Sequence, residues 1–184
     1  MEWTIKDWSE LSREEVEKIF SLRSEVFIVE QDCVYQDIDG KDKLAKHVLG
    51  FENKELVAYS RIFKPGDYFK EASFGRAVVK KSFRGKGIGD ELVKINIEQF
   101  EEKTIKISAQ SYLKSFYSSH GFKPLGEEYL EDGIPHTAMY LDLWEKNTVK
   151  FVKNHFLQCL ESNINQIKIG FLFVSLAWFL SNKT

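Results

Sequence analysis

The sequence predicts an α/β domain of α+β character, strands outnumbering helices, over residues 1–145 of a 184-residue chain. Three observations predict it. Short strand-period segments recur between turn residues, three helical stretches interrupt them in mixed order, and no repeat or Pro-, Gly- or Ser-rich linker breaks the run. The length fits one ordinary domain with an appendage, because domains cluster near ~100 to 150 residues.

Glu2 to Trp8 alternates polar and apolar residues as a strand does. Ser12 followed three positions later by Glu15 forms a capping box, so a helix starts there; Val16, Ile19, Phe20, Arg23 and Phe27 keep helical spacing and carry it toward Val29. His47 to Gly50 and Leu56 to Phe63 read as two strands of a hairpin turned at Asn53-Lys54. After Pro65-Gly66, Ala72 to Val79 gives a further strand that runs into a glycine-rich loop, and Glu91 to Phe100 follows as a helix. Thr104 to Ser108 resumes a strand, Tyr112 to His120 reads as a helix stopped by Gly121, and Thr137 to Leu143 alternates as the last strand.

Composition excludes several classes of function. Lys and Arg number 26 against 28 Asp and Glu, so no global field favours nucleic acid. The two cysteines, Cys33 and Cys159, are far apart and in no metal-ligand spacing, which argues against a disulfide scaffold and a zinc site. Met1 to Asp7 holds Glu2, Lys6 and Asp7 and no apolar core, unlike a secretory signal. A cytoplasmic protein without a metal is the expectation.

The chemistry concentrates in Arg84-Gly85-Lys86-Gly87-Ile88-Gly89. Glycines between a buried strand and a helix let the backbone approach a ligand and aim several N–H groups one way, a nest suited to phosphate. The positive end of the following helix favours a pyrophosphate further, as do Lys80, Lys81, Arg84 and Lys86 around it. A P-loop needs Lys followed by Ser or Thr, but Lys86 precedes Gly87, so ATP and GTP are disfavoured. A dinucleotide fingerprint needs an acidic ribose reader, whereas the next strand ends in Ser108-Ala109-Gln110.

Arg84-x-x-Gly87-x-Gly89 after an apolar strand resembles motif A of the GCN5-related N-acetyltransferases (GNAT), which cradles the pyrophosphate of CoA. The segment Ala109 to Phe122, with Phe116-Tyr117 and Gly121-Phe122, is similar to the family's motif B. Leu22 to Asp42, holding Val29-Glu30-Gln31 and Tyr35-Gln36-Asp37-Ile38-Asp39-Gly40, and Glu131 to His136 resemble its ElaA-like branch. The resemblance covers residues 1 to about 145. It implies a GNAT fold: a mixed, mostly antiparallel sheet with two splayed parallel strands, flanked by helices. It also implies acetyl-CoA as co-substrate and transfer of its acetyl group to a primary amine by direct attack in a ternary complex. The alternative is an acyl-CoA-binding module or sensor that does not turn over.

Carried over residue by residue, the resemblance places the pantetheine arm between strands 72–79 and 104–108. Val78 and Val79 line that slot, one of their N–H groups facing the thioester carbonyl; the alternative, ordinary buried valines, is compatible with this, since the backbone carries the chemistry while the side chains pack. Arg84, Gly85, Lys86, Gly87, Ile88 and Gly89 hold the pyrophosphate, and Gln110 joins them at the end of the second strand. Tyr117 takes the position of the phenol that protonates the departing thiolate, or else packs on the core. An acceptor ammonium must lose a proton before it attacks, and Glu30, His136 and His47 are the candidates to take it; a surface ion pair, a solvated loop position and a buried hydrogen bond are the respective alternatives. Asp32, Asp37, Asp39 and Asp42 crowd one loop and favour a cationic acceptor, a small-molecule or peptide amine. Beyond Trp144 the resemblance stops. Val149, Val152, Phe156, Leu160 and Ile164 keep helical spacing, and Ile169 to Leu180 is nearly all apolar, but as a helix it rises only ~18 Å, too short for a membrane span. Residues 146–184 are therefore expected to form a helical or apolar extension that packs on the domain or on a second copy in a homodimer.

Overall fold

The structure, a computed structural model, describes residues 1–100 and 104–143. The extension expected over residues 146–184 lies outside the described residues. Strand β1 (Glu2–Asp7) pairs antiparallel with β2 (Lys46–Glu52), β2 with β3 (Glu55–Phe63), and β3 with β4 (Ser73–Val79). A second antiparallel sheet joins β5 (Thr104–Gln110) to β8 (Ile134–Asp142), which also pairs with the short β6 (Lys123–Pro124) and β7 (Tyr129–Glu131). The sheets meet through a parallel bridge between Ala72 and Ile105, where the Lys106 N–H donates to the Ala72 carbonyl at 2.8 Å. No ladder continues it among the described residues, so β4 and β5 part toward their C-terminal ends, and the splay that the resemblance implied is present.

The parting has a visible cause in β4. Its register with β3 slips between Tyr59 and Arg61, so that Arg76 and Ala77 together oppose Ser60. Arg76 adopts φ 50°, a left-handed conformation that costs a residue with a Cβ ~1–2 kcal/mol. Such a bulge bends its strand and raises the local twist, which turns the end of β4 away from β5.

Helices cover both faces of the first sheet. Neighbours on β2 divide accordingly: Leu49 packs with Ile19, Leu22 and Val26, whereas Val48 packs with Leu92, Val93 and Ile97. The first group belongs to α1 (Arg13–Arg23) and its continuation, and the second to α2 (Ile88–Glu98). The expected capping box starts α1: Ser12 Oγ accepts the Glu15 N–H at 3.1 Å, and the Glu15 carboxylate accepts the Ser12 N–H at 2.8 Å. The helix runs as far as its spacing predicts, but its last seven residues, Ser24–Glu30, are wound as a π-helix. That wider turn, rare and concentrated at functional sites, lies beside the cavities described below. The third helix, α3 (Lys114–Ser119), follows a single 3₁₀ turn and ends at Gly121.

The acidic loop is not the free anionic surface that its sequence suggests. Arg23, fully buried at the end of α1, binds Asp37 through Nε at 2.9 Å and Asp42 through Nη1 at 2.6 Å. Arg61, 1% exposed, binds Asp42 at 3.0 Å and Asp39 at 2.5 Å. Arg76 reaches Asp37 at 2.7 Å, which fastens the bulge to the loop. Three of the four aspartates are thus neutralised, and the reading of this loop as an attractor for a cationic acceptor is corrected accordingly. Replacing Asp42 by Ala leaves two buried guanidiniums short of a partner, and a loss of about 3 kcal/mol in unfolding free energy is expected by denaturant titration. Burial pushes the Asp39 carboxyl up, but the Arg61 hydrogen bonds, the Lys41 amide and the arginine charges outweigh it and hold the carboxyl far below its usual range. Its contribution to stability is complete above the unfolded value near pH ~4 and is lost only as pH falls below that toward the native value.

Candidate active site

The glycine loop and the start of α2 build an anion cradle. Gly85 and Gly87 have φ of 74° and 79°, and a Cβ at either would meet no protein atom within 4 Å. Backbone conformation, not crowding, therefore requires glycine there, and the space beside it is open. The first intrahelical bond of α2 joins the Glu91 N–H to the Gly87 carbonyl at 3.1 Å, which leaves the amides of Ile88, Gly89 and Asp90 to an external acceptor. A cavity of about 480 Å³ opens on these groups and runs into the splay. Of the expected binding residues, Val78, Val79, Arg84, Gly85, Gly87, Gly89 and Gln110 line it. Lys86 and Ile88 do not: the Lys86 ammonium lies over the Phe83 ring, 4.8 Å from its centre.

At the splay the backbone of β4 turns a donor away from β3. The Lys80 N–H bonds to Val57 of β3 at 2.8 Å, so by strand alternation the Val78 N–H also faces β3 and the Val79 N–H faces away. The Val79 carbonyl confirms this direction, since it accepts from Arg84 Nε at 2.9 Å and not from β3. A carbonyl entering between the strands meets the Val79 amide. The cradle, the slot and this amide together fit the pyrophosphate and pantetheine arm of a CoA thioester.

Glu30 stands on the same rim. Its two oxygens take Arg84 Nη1 at 2.5 Å and Nη2 at 3.0 Å, and these bonds, against slight burial, lower its carboxyl pKa. This is the surface ion pair that was the alternative to a base. His47 is fully buried: its Nε2–H donates to the Asp42 carbonyl at 3.0 Å and its Nδ1 accepts the Tyr59 hydroxyl at 2.7 Å. Burial lowers its pKa, and the ring lines neither cavity.

A second, smaller cavity of about 110 Å³ lies on the other side of Tyr117. Phe27, Gln31, Ala77, Gln110, Leu113 and Tyr117 border both spaces and form the partition between them. Tyr117 is 7% exposed, and among the described residues no hydrogen bond engages its hydroxyl. Burial, with a smaller contribution from Tyr112, pushes its phenol well above the usual range, so it holds its proton through neutral and alkaline pH. Gln31 and Gln110 brace the partition by exchanging amide hydrogen bonds of 3.3 and 3.0 Å.

His136 lines the smaller cavity, in a strand and not in the loop that Pro135 suggested. The Asp132-Gly133 turn, with φ of 50° and 78°, folds β7 back on β8 and sets His136 opposite Tyr129 on one side and Gln110 on the other. Its Nδ1 lies 2.8 Å from the Ile134 carbonyl, which only accepts, so Nδ1 carries the hydrogen and Nε2 of the neutral ring keeps its lone pair. Other lining groups have no counterpart in the sequence reading. Ser108 Oγ donates to Glu131 at 2.7 Å and accepts from the Tyr129 hydroxyl at 2.6 Å, while Cys33 Sγ donates to the Asp132 carbonyl at 3.3 Å. Short β7 carries no alternation that could have announced it, and Gln31 follows a helix whose π-winding is invisible in its spacing. Among the described residues no group of three or more His, Cys, Asp and Glu is placed to hold a metal ion, and no helix is long and apolar enough to cross a membrane.

Known proteins share this arrangement. Residues 8–143 match the Acetyltransferase (GNAT) domain family. Protein ElaA of Escherichia coli K12 is 42% identical over 145 residues, 76% of this chain and 95% of that protein. A UPF0039 protein of Synechocystis is 38% identical over 142 residues, covering 74% and 92%. The crystal structure of Escherichia coli ElaA superposes with TM-score 0.72 at 41% identity, over 77% of this chain and 99% of that one. The structure of an acyl-CoA N-acyltransferase from Pseudomonas aeruginosa gives TM-score 0.72 at 34% identity, over 76% and 98%. With its split sheet, its glycine cradle and these relatives, the chain belongs to the GNAT acetyltransferase family, with ElaA among its homologues.

Proposed function

We propose that the protein moves an acetyl group from acetyl-CoA to a primary amine by direct attack within a ternary complex. The observation that carries this reading is the placement of Tyr117 in the partition between the larger cavity and the smaller one. The loop from Arg84 to Gly89 receives the pyrophosphate, and Val78, Val79 and Gln110 flank the pantetheine arm. The Val79 amide faces the oxygen that gains charge as the amine adds. His136 Nε2 takes the ammonium proton, and Tyr117 returns a proton to the sulfur as the carbon–sulfur bond breaks. Glu30 keeps Arg84 in place and takes no part in proton transfer.

Thiol release from acetyl-CoA, measured against polyamines, amino acids, aminoglycosides and lysine peptides, tests the reading. Turnover with one class supports it, and tight CoA binding with no thiol release from any amine supports a sensor instead. His136→Gln is expected to slow turnover about tenfold at neutral pH. The deficit should shrink as the pH approaches the pKa of the amine, because the free base then needs no proton acceptor; a deficit independent of pH removes His136 from that role.

A further inference from the structure

The smaller cavity holds a carboxylate that no cation among the described residues neutralises. Glu131, half-buried at the end of β7, accepts the Ser108 hydroxyl through Oε2 at 2.7 Å, and among the described residues Oε1 has no partner. The Tyr129 phenol in turn donates to Ser108 at 2.6 Å, so the carboxylate is oriented by a chain of neutral donors that leaves its charge intact. Its field reaches the cavity wall: burial first, and then the Glu131 charge, raise the phenol pKa of Tyr68, another lining residue, against the opposing charges of Arg76 and Arg61. Asp132, exposed at the adjoining turn, adds to the same negative end.

The cationic members of the lining are paired with aspartates. Arg61 and Arg76 are already neutralised by Asp37, Asp39 and Asp42. A ligand carboxylate would meet guanidiniums whose charge the aspartates already balance and would face Glu131, a repulsive element that discriminates as effectively as an attractive one. Phe63, Tyr68, Phe69 and Phe74 give the wall an aromatic side, which faces a mixed remainder that includes Gln31, Ser73 and Gln110. Lys41 and Lys106 cover one ring face each of Tyr68 and Phe69, but neither lysine lines the cavity. At about 110 Å³ the space admits only a compact group.

We infer that the acceptor is a small primary amine with an aromatic or otherwise apolar body and no carboxylate, its ammonium set against Glu131. This deepens the acyl-transfer reading and rests on it. Tyr129 connects the two polar ends of the site, since it hydrogen-bonds toward Glu131 through Ser108 and stacks on His136 with ring centres 6.2 Å apart. Glu131 is a specificity-determining residue here: it holds the charged form of the amine, while His136 takes its proton.

The test is kcat/KM for thiol release from acetyl-CoA with 2-phenylethylamine, phenylalanine, spermidine and a lysine peptide. 2-Phenylethylamine should exceed phenylalanine, which differs by one carboxylate, by at least about tenfold, and should exceed the other two. Glu131→Gln should lower kcat/KM for 2-phenylethylamine by at least about tenfold, chiefly through KM, and narrow its margin over phenylalanine. Glu131→Asp, which keeps the charge, should retain more activity than Glu131→Gln. Unchanged calorimetric affinity of both variants for CoA establishes that they are folded. Preference for phenylalanine, spermidine or the peptide overturns the inference and leaves acyl transfer standing, as does a Glu131→Gln variant with wild-type kinetics. Absence of thiol release from every amine, with CoA still bound, overturns the acyl-transfer reading and the inference with it.

Discussion

Gly87→Glu should abolish measurable CoA binding, with an affinity loss of about a thousandfold or more. Gly87 caps α2 at φ 79°, and the space where a Cβ would stand is free of protein atoms and continuous with the larger cavity. A glutamate there sends its carboxylate toward the groups left to bind an anion. Two unit charges about 4 Å apart near a protein surface repel by ~4 kcal/mol, and each ~1.4 kcal/mol is a factor of ten in affinity. The positive φ adds a cost to folding of ~1–2 kcal/mol, since a side chain strains the left-handed conformation. Gly87→Ala carries that same strain without the charge, so comparison of the two variants isolates the electrostatic part. Calorimetry with CoA should show Gly87→Ala binding far better than Gly87→Glu, with the gap shrinking as salt rises. A folded Gly87→Glu variant with wild-type affinity would remove this loop from the pyrophosphate site.

That loop was legible because its physics is local. Glycines that need positive φ, the strand before them and the helix after them all fall within one short window, and the capping box of α1 is equally local. What the sequence concealed depends on partners distant along the chain. Asp37 meets Arg23 fourteen positions away and Arg76 thirty-nine positions away, so a run that looks like a solvated acidic loop is the anionic half of a buried network. The bulge at Arg76 is likewise unannounced, because an arginine held at positive φ by an ion pair gives no signal of its own. His136 was misplaced in a loop for a related reason: β7 spans three residues, and its pairing with β8 is visible only in three dimensions. Glu30 shows the converse. Its position in the resemblance is informative, but its chemistry is decided by Arg84, fifty-four residues later.

Tyr117→Phe should lower turnover by about a hundred- to a thousandfold while leaving CoA affinity nearly unchanged. The substitution removes one hydroxyl from a ring that packs against Phe74, Phe116 and Phe122, with ring centres 5.2 to 6.3 Å away, and it keeps that packing. No hydrogen bond to the hydroxyl is lost among the described residues, so the fold should be insensitive to the change. The chemical consequence differs in kind. A thiolate leaving between β4 and β5 needs a proton, and general acid catalysis typically contributes ~10² to 10⁴ in rate. Burial keeps the Tyr117 phenol protonated across the working range, so the acid is present in its active form at every pH at which the amine can react. The loss should therefore be similar from neutral to alkaline pH, in contrast to the deficit of His136→Gln, which fades as the amine deprotonates unaided. Rates of thiol release at saturating acetyl-CoA and amine, compared across pH for wild type and both variants, separate the two roles. Equal rates for Tyr117→Phe and wild type would leave solvent as the proton source and reduce Tyr117 to part of the partition.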